Sequence, residues 1–183
     1  MGLHGTVARR RPFQHAARAI CEAMETDRPV IRLKPKANAR AIRRGAPWIF
    51  DNELVLDRRT KALPAGTIAT LEDHARQPLA TVAVNPASRI TGRVLDRAPD
   101  AAVDAAWLQD RLGRALALRD RLYDAPFYRL VHAEGDGLPG VIVDRFGAIA
   151  VVQPNAAWAE AHLDLLVDAL VAVTGATAVL KNA

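Results

Sequence analysis

The sequence predicts an α+β protein made of a small, mostly β module followed by a strand–helix domain. Three observations lead to this fold class. Strand-length segments of alternating apolar and polar residues occupy most of residues 30–97. An Ala-, Pro- and Asp-rich segment at 98–103 is the best candidate for a domain boundary. Beyond it, helices with an apolar stripe alternate with short strands.

The first module is predicted to contain six short strands and one basic helix. The strands are residues 30–33, 48–50, 53–56, 67–72, 78–84 and 89–97. Residues 36–44 are predicted to be helical because alternate alanines favour a helix, and Gly45 followed by Pro47 ends it. Turns are predicted at 63–66 and 73–77, and Asn85-Pro86 breaks the chain.

Two details of this module bear on function. The alternation of the last strand places Arg89, Arg93 and Arg97 on one face, which predicts an exposed row of arginines. Trp48 lies between Pro47 and Ile49, and we expect it in the core rather than on a base-stacking surface. The sequence shows no row of exposed aromatic residues.

The second unit begins with an amphipathic helix over 104–123, for which Asp104 is the expected N-cap. Strands follow at 127–133, 141–146 and 148–153, joined by Gly- and Asp-containing turns. A second helix is predicted over 156–173, capped by Asn155 and ended by Gly175. A last strand begins at Thr177.

Positive charge is concentrated near the N-terminus. Residues 1–59 hold thirteen Lys and Arg against six Asp and Glu, while the whole chain has a formal net charge of +5. This asymmetry indicates a polyanionic partner, although a well-solvated surface remains an open alternative. Arginine forks match phosphate geometry. The candidate RNA-binding residues are Lys34, Lys36, Arg40, Arg43, Arg44, Arg89 and Arg93.

The composition argues against several other classes of protein. The single cysteine, Cys21, cannot form a disulfide within the chain, no Cys/His cluster has zinc-site spacing, and we expect a cytoplasmic protein without a metal. No apolar run approaches the length of a membrane span. Residues 1–28 show little periodicity, and we expect either a disordered extension or a true start at Met24.

Residues 135–140 match the glycine pattern G-x-G-x-x-G of dinucleotide-binding loops. Such a loop must open a helix, whereas here Val141 begins another strand, so we predict a β-hairpin turn. His132, Glu134 and Asp136 occupy alternate positions at the start of this turn and could lie on one side of a strand. A metal site would need further ligands, and the sequence does not identify any. We therefore expect polar residues flanking a turn.

Several segments carry a resemblance to a known family: RLKPK at 32–36, RRGAPWIF at 43–50, NPASRI at 85–90, YRLV at 128–131 and EGDGLPGVIVDRFG at 134–147. The first three resemble a PUA domain. Together they are similar to the class I S-adenosylmethionine-dependent methyltransferases of large-subunit ribosomal RNA that make 5-methylcytosine. The resemblance implies a PUA-like β-barrel at 29–98 and a central α+β domain at 104–183, ending where a Rossmann-like catalytic domain would begin.

The resemblance also shapes the expected function. It implies ribosomal RNA as partner and S-adenosylmethionine as cofactor of the full-length family, with no catalytic or cofactor-binding residue carried over to this chain. We expect an inactive, RNA-binding portion of such an enzyme, and leave a homodimer open. The alternative is a stand-alone PUA-type RNA-binding protein, and a third hypothesis is another enzyme that uses His132, Glu134 and Asp136.

Overall fold

The computed structural model describes residues 28–182, and the expectations for residues 1–27 lie outside this range. The strands are β1 (Val30–Arg32), β2 (Trp48–Phe50), β3 (Thr67–Glu72), β4 (Pro78–Val84), β5 (Ile90–Asp96), β6 (Phe127–His132), β7 (Val141–Phe146), β8 (Ile149–Pro154) and β9 (Ala178–Lys181). The helices are α1 (Ala39–Arg43), α2 (Arg58–Lys61), α3 (Ala105–Asp120), α4 (Ala157–Ala161) and α5 (Leu163–Thr174). The predicted α+β class is confirmed.

The first module is a five-stranded sheet in the order β1-β3-β4-β5-β2. Strand β1 runs parallel to β3, and the other neighbours are antiparallel. Its core is aliphatic and includes Ile31, Leu33, Ile42, Ile49, Leu54, Leu71 and Val82. Strand β2 lies at one edge of the sheet, so only one of its sides is paired.

Two parts of this module differ from the predictions. Residues 53–56 do not form a strand, since Leu54 makes a single bridge to Leu33 within a turn. The short helix α2 was not predicted; its N-cap is Asp57, whose Oδ1 accepts from the Thr60 amide at 2.8 Å. That hydrogen bond lowers the pKa of Asp57 below its ordinary value.

The second unit is a four-stranded sheet in the order β6-β7-β8-β9, with α3 and α5 packed against each other. Strands β6, β7 and β8 are antiparallel, whereas β9 runs parallel to β8. Trp107 and Trp158 meet edge to face in the core, with ring centroids 6.1 Å apart. Asp104 caps α3 as predicted, its Oδ1 accepting from the Trp107 amide at 2.8 Å.

The prediction of a single helix over 156–173 is wrong, because the helix is interrupted at His162, which separates α4 from α5. The Nδ1 atom of His162 lies 2.7 Å from the Trp158 carbonyl oxygen, at the junction of the two helices. Asn155 does not cap α4, since its Oδ1 accepts from the side chain of Gln153 instead. The break lets α4 bury Trp158 while α5 buries Leu166 and Leu170.

The two units pack closely together. Ala83 and Leu95 of the first sheet belong to the same buried cluster as Trp107 and Trp158. Gly66 approaches the backbone of α4 so closely that a Cβ at this position would lie 2.7 Å from the Ala157 carbonyl oxygen. The core of the second unit therefore extends onto the first sheet at Ala83 and Leu95, separate from the core of the first module, and keeps the two units together.

Candidate nucleic-acid interface

The structure brings three of the predicted RNA-binding residues together in one surface groove. Lys34 and Lys36 lie between β1 and α1, and Arg89 lies just before β5. All three line a groove of about 1110 Å³ whose other walls include Phe50 and Asn38. Phosphate groups of a polyanion would find two ammonium groups and one guanidinium within this space.

The groove carries a positive balance despite two carboxylates at its edge. Asp51 and Glu53 both line it, but Glu53 accepts from the Phe50 amide at 2.9 Å and Asp51 from the Asn52 amide at 2.8 Å. Lys34 donates to the Asn52 carbonyl oxygen at 3.0 Å. The two carboxylates are therefore engaged by backbone groups of the turn.

The basic helix α1 stands beside this groove. Asn38 caps it, with Oδ1 accepting from the Ala41 amide at 3.0 Å, so the helix starts later than predicted. Arg43 pairs with Asp73 at 3.1 Å. The hydrogen bond from the Gln77 amide, aided by Arg43, keeps the pKa of Asp73 below its usual value, and Asp73 remains an anion at neutral pH. Arg43 thus holds α1 on the sheet.

Two other cations of α1 point to solvent. Arg40 and Arg44 are exposed, and within residues 28–182 their side chains form no hydrogen bond or ion pair. The same holds for Lys36 and Arg89 among the described residues. These four cations leave their charge available to a partner.

Arg93 has a different environment from the other candidates. Its Nη1 lies 2.9 Å from Glu134 Oε1, and both side chains are 22% exposed. Thr91 and Leu95, on the same face of β5, are buried. The predicted exposed row of arginines is therefore wrong, because this face of β5 packs against the second unit. Arg89 and Arg97 remain exposed at its ends.

Trp48 is not in the core, contrary to the prediction, since 42% of it is exposed. Ile49 is the buried residue of β2, and Phe50 is again 39% exposed. The expectation of no row of exposed aromatics is also wrong, because Trp48 and Phe50 are both exposed along β2. The period of two in Trp48-Ile49-Phe50 was the available signal, since an edge strand that buries Ile49 must turn its neighbours outward.

The residues His132, Glu134 and Asp136 do not converge on a metal site. Glu134 accepts from Trp48 and Arg93, and Asp136 accepts two hydrogen bonds from Arg119, each 2.7 Å long. Within residues 28–182, no group of three or more His, Cys, Asp and Glu could hold a metal ion. The carboxylates of Glu134 and Asp136 thus stabilise the turn through hydrogen bonds and ion pairs.

The glycine-rich segment is a turn between antiparallel strands, as predicted. It connects β6 to β7 through a short 3-10 turn at Ala133–Asp136, with no helix starting at Pro139. Gly137 and Gly140 have φ values of 73° and 74°. The amide array that holds a nucleotide phosphate at a helix N-terminus is therefore not formed here.

Cations of the second unit are mostly neutralised by neighbouring acids. The pairs are Arg111–Asp96, Arg114–Asp110, Arg119–Asp136, Arg129–Asp144 and Lys181–Glu160. Residues 104–183 carry seven Lys and Arg against ten Asp and Glu, whereas residues 29–98 carry thirteen against six. The net positive charge thus lies on the first module.

The first module matches a known type of domain. Residues 31–97 match the family model of the PUA-like domain. The chain is 39% identical over 141 residues to ribosomal RNA large subunit methyltransferase I of Cronobacter sakazakii, and 38% identical over 139 residues to that of Aliivibrio fischeri. These alignments cover 75% and 74% of the chain but 35% of each relative, so the chain spans about a third of their length.

Solved structures share the fold at low sequence identity. A Streptococcus mutans protein assigned as a SAM-dependent methyltransferase superimposes with a TM-score of 0.69 at 14% identity, covering 84% of the chain and 40% of that protein. A second structure, assigned as a methyltransferase in complex with SAH, has a TM-score of 0.67 at 14% identity with the same coverage. The arrangement of both units thus occurs within larger proteins.

Within residues 28–182, no helix has the length and apolarity needed to cross a membrane.

Proposed function

Because the chain contains a PUA-like domain and is homologous to large-subunit ribosomal RNA methyltransferases, we propose that it is the RNA-binding, substrate-recognition portion of an rRNA cytosine-C5 methyltransferase. Residues 29–98 bind ribosomal RNA in this proposal. Residues 104–183 form a central domain that supports the first. The contacts are made mainly to phosphates, which position the RNA without reading its sequence.

The observation that carries this proposal is the difference in charge pairing between the two units. Lys36, Arg40, Arg44 and Arg89 are exposed and lack an acidic partner among the described residues. The second unit, by contrast, holds most of its cations in ion pairs. A phosphate contact on the first module therefore requires no existing ion pair to break, which favours binding there.

S-adenosylmethionine is the proposed cofactor of the whole enzyme, and we assign no residue of this chain to it. The glycine-rich segment at 135–140 does not supply a cofactor loop, because it leads into strand β7 rather than into a helix. We derive no catalytic step from these residues. Their part in the reaction is to hold the RNA.

The proposal is tested by a salt-titrated binding assay with a stem–loop RNA. The test variant replaces Arg40 and Arg44 by Ala, and Arg43 is kept because it pairs with Asp73. The control variant replaces Arg114 and Arg121, which removes the same charge from α3 and its C-cap. We expect the test variant to bind more weakly and to flatten the salt dependence by about 0.7 to 0.9 per lost phosphate contact.

Each outcome has a clear meaning. A loss confined to the test variant supports the proposal, because both variants change the net charge equally. Equal losses from the two variants would show that RNA does not prefer the PUA-like surface. Unchanged binding by the test variant would remove α1 from the interface.

A further inference from the structure

The edge strand β2 presents two aromatic rings to solvent. Trp48 and Phe50 are 42% and 39% exposed, whereas Ile49 between them is fully buried. Side chains two residues apart along a strand lie on the same side, separated by about 7 Å. Both rings lie on the face of β2 opposite to Ile49, which belongs to the core of the first module. The pair forms an aromatic strip along the rim of the module.

This aromatic strip adjoins the cationic groove. Phe50 itself lines the groove, together with Lys34, Lys36 and Arg89. A ring beside three cations is the combination with which proteins hold single-stranded nucleic acid, since bases stack on the ring while the cations contact the backbone. Its volume of about 1110 Å³ is comparable to that of the largest clefts for small ligands, about 1,000 Å³.

The indole ring of Trp48 is held in place from the second unit. Its Nε1–H donates to Glu134 Oε1 at 2.8 Å, and the same oxygen accepts from Arg93 at 2.9 Å. The hydrogen bond fixes the edge of the ring and leaves part of its surface in solvent. A ring that is already oriented loses little conformational entropy when a base stacks on it. Trp48 is thus prepared for stacking by contacts that do not involve RNA.

We infer that Trp48 and Phe50 stack with unpaired bases of the RNA while Lys34, Lys36 and Arg89 hold the adjoining phosphates. This inference rests on the proposed RNA-binding function and narrows its substrate to RNA with an unpaired segment. Bases inside a duplex are already stacked on their neighbours, and the deep A-form major groove hides their edges, so a fully paired RNA cannot use the strip.

The test compares two RNAs with equal numbers of phosphates, a stem with an unpaired loop and a blunt duplex. The variant replaces both Trp48 and Phe50 by Leu in the full chain. We expect it to lose at least about fivefold in affinity for the looped RNA, since stacking contributes this much or more per base. Binding of the duplex and the salt dependence should not change, because no charge is removed.

Fluorescence gives a second readout at the same site. The chain has three tryptophans, of which Trp107 and Trp158 are 8% and 1% exposed. Emission from Trp48 should therefore dominate any quenching by a stacked base, and the looped RNA should quench it more than the duplex does. Replacing Trp48 by Phe keeps a ring but removes the bond to Glu134, so affinity for the looped RNA should fall less than in the double Leu variant while the quenching disappears.

Thermal melting of each variant accompanies the binding assay. If the double Leu variant does not fold, Phe50→Leu alone is used, because it leaves the bond between Trp48 and Glu134 intact. Equal affinity of wild type and Leu variants for the looped RNA, without quenching, would overturn the stacking inference. That result is distinct from failure of the proposed function, in which the Arg40 and Arg44 variant and the Arg114 and Arg121 variant lose equal affinity for both RNAs.

Discussion

Asp96 connects the two units, and its replacement by Asn tests how they are joined. One carboxylate oxygen accepts from Arg111 at 2.7 Å and from the Trp107 indole at 2.9 Å, and the other accepts from the Ala98 amide at 2.9 Å. Arg111 also lies over the Trp107 ring, 3.7 Å from its centroid. Asp96 therefore holds the start of α3 against the end of β5.

The expected cost of Asp96→Asn is about 2 kcal/mol at neutral pH. A hydrogen bond to a charged group contributes about 1.5 to 3 kcal/mol. The Asn side chain keeps one acceptor oxygen, but Arg111, whose side chain is 15% exposed, loses its nearest anion. Since the site is partly open to solvent, the cost should lie near the lower end of this range. For a chain of this size, it corresponds to a decrease in Tm of about 4 to 8 °C.

The pH dependence gives an independent check. Burial by itself raises the pKa of Asp96, but the hydrogen bonds from Ala98, Trp107 and Arg111 together bring it below the ordinary value of 3.8. A carboxyl with a lowered folded-state pKa stabilises the protein above its unfolded pKa and loses this contribution as pH falls through the folded value. The difference between wild type and Asp96→Asn should thus be constant near neutrality and narrow below about pH 4.

Urea unfolding of wild type and variant, measured from pH 7 down to pH 3, tests both statements. The matched control is Asp144→Asn, because Asp144 pairs with Arg129 at an exposed position. That replacement should cost less than about 1 kcal/mol. Equal midpoints for the two variants, or an Asp96 effect that does not change with pH, would refute the reasoning.

The remaining predictions concern the turn between β6 and β7. Gly135→Ala should leave the free energy of unfolding unchanged, because a Cβ there meets nothing within 4 Å, whereas Gly137→Ala should cost about 1 to 2 kcal/mol for its φ of 73°. Gly140→Ala should cost more still, since its Cβ would also lie 2.5 Å from the Ala156 Cβ; any other order in urea unfolding would contradict the turn geometry. Titration calorimetry should detect no binding of S-adenosylmethionine to the chain, and specific micromolar binding would show that the turn analysis misses a cofactor site.

Much of the fold could be predicted from local patterns. Strands β3, β4 and β7 have the predicted bounds, and Asp104 and Gly175 cap their helices as expected. These features depend on alternation and on capping chemistry, which act within a few residues along the chain. The break at His162 and the short helix α2 were missed, because both depend on contacts or caps that periodicity does not reveal.

The candidate interface was predictable only in part. Concentration of charge in the first module follows from composition, and so does the candidate set of cations. Tertiary packing decides which of these cations are free to contact a phosphate, since Arg93 pairs with Glu134 and Arg43 pairs with Asp73. The partner acids lie 41 and 30 residues away in the chain, a separation at which sequence patterns do not identify contacts.

By itself, the sequence determined the α+β class, the basic character of the first module and the turn at 135–140, because these follow from residue type and local spacing. Only the tertiary structure decided that Trp48 and Phe50 face solvent, that Arg89 joins Lys34 and Lys36 in one groove, and that Glu134 orients the Trp48 ring. The physical reason is that exposure of a strand residue depends on which neighbours cover its sheet. Strand order places β2 at an edge, and this order arises from long-range pairing.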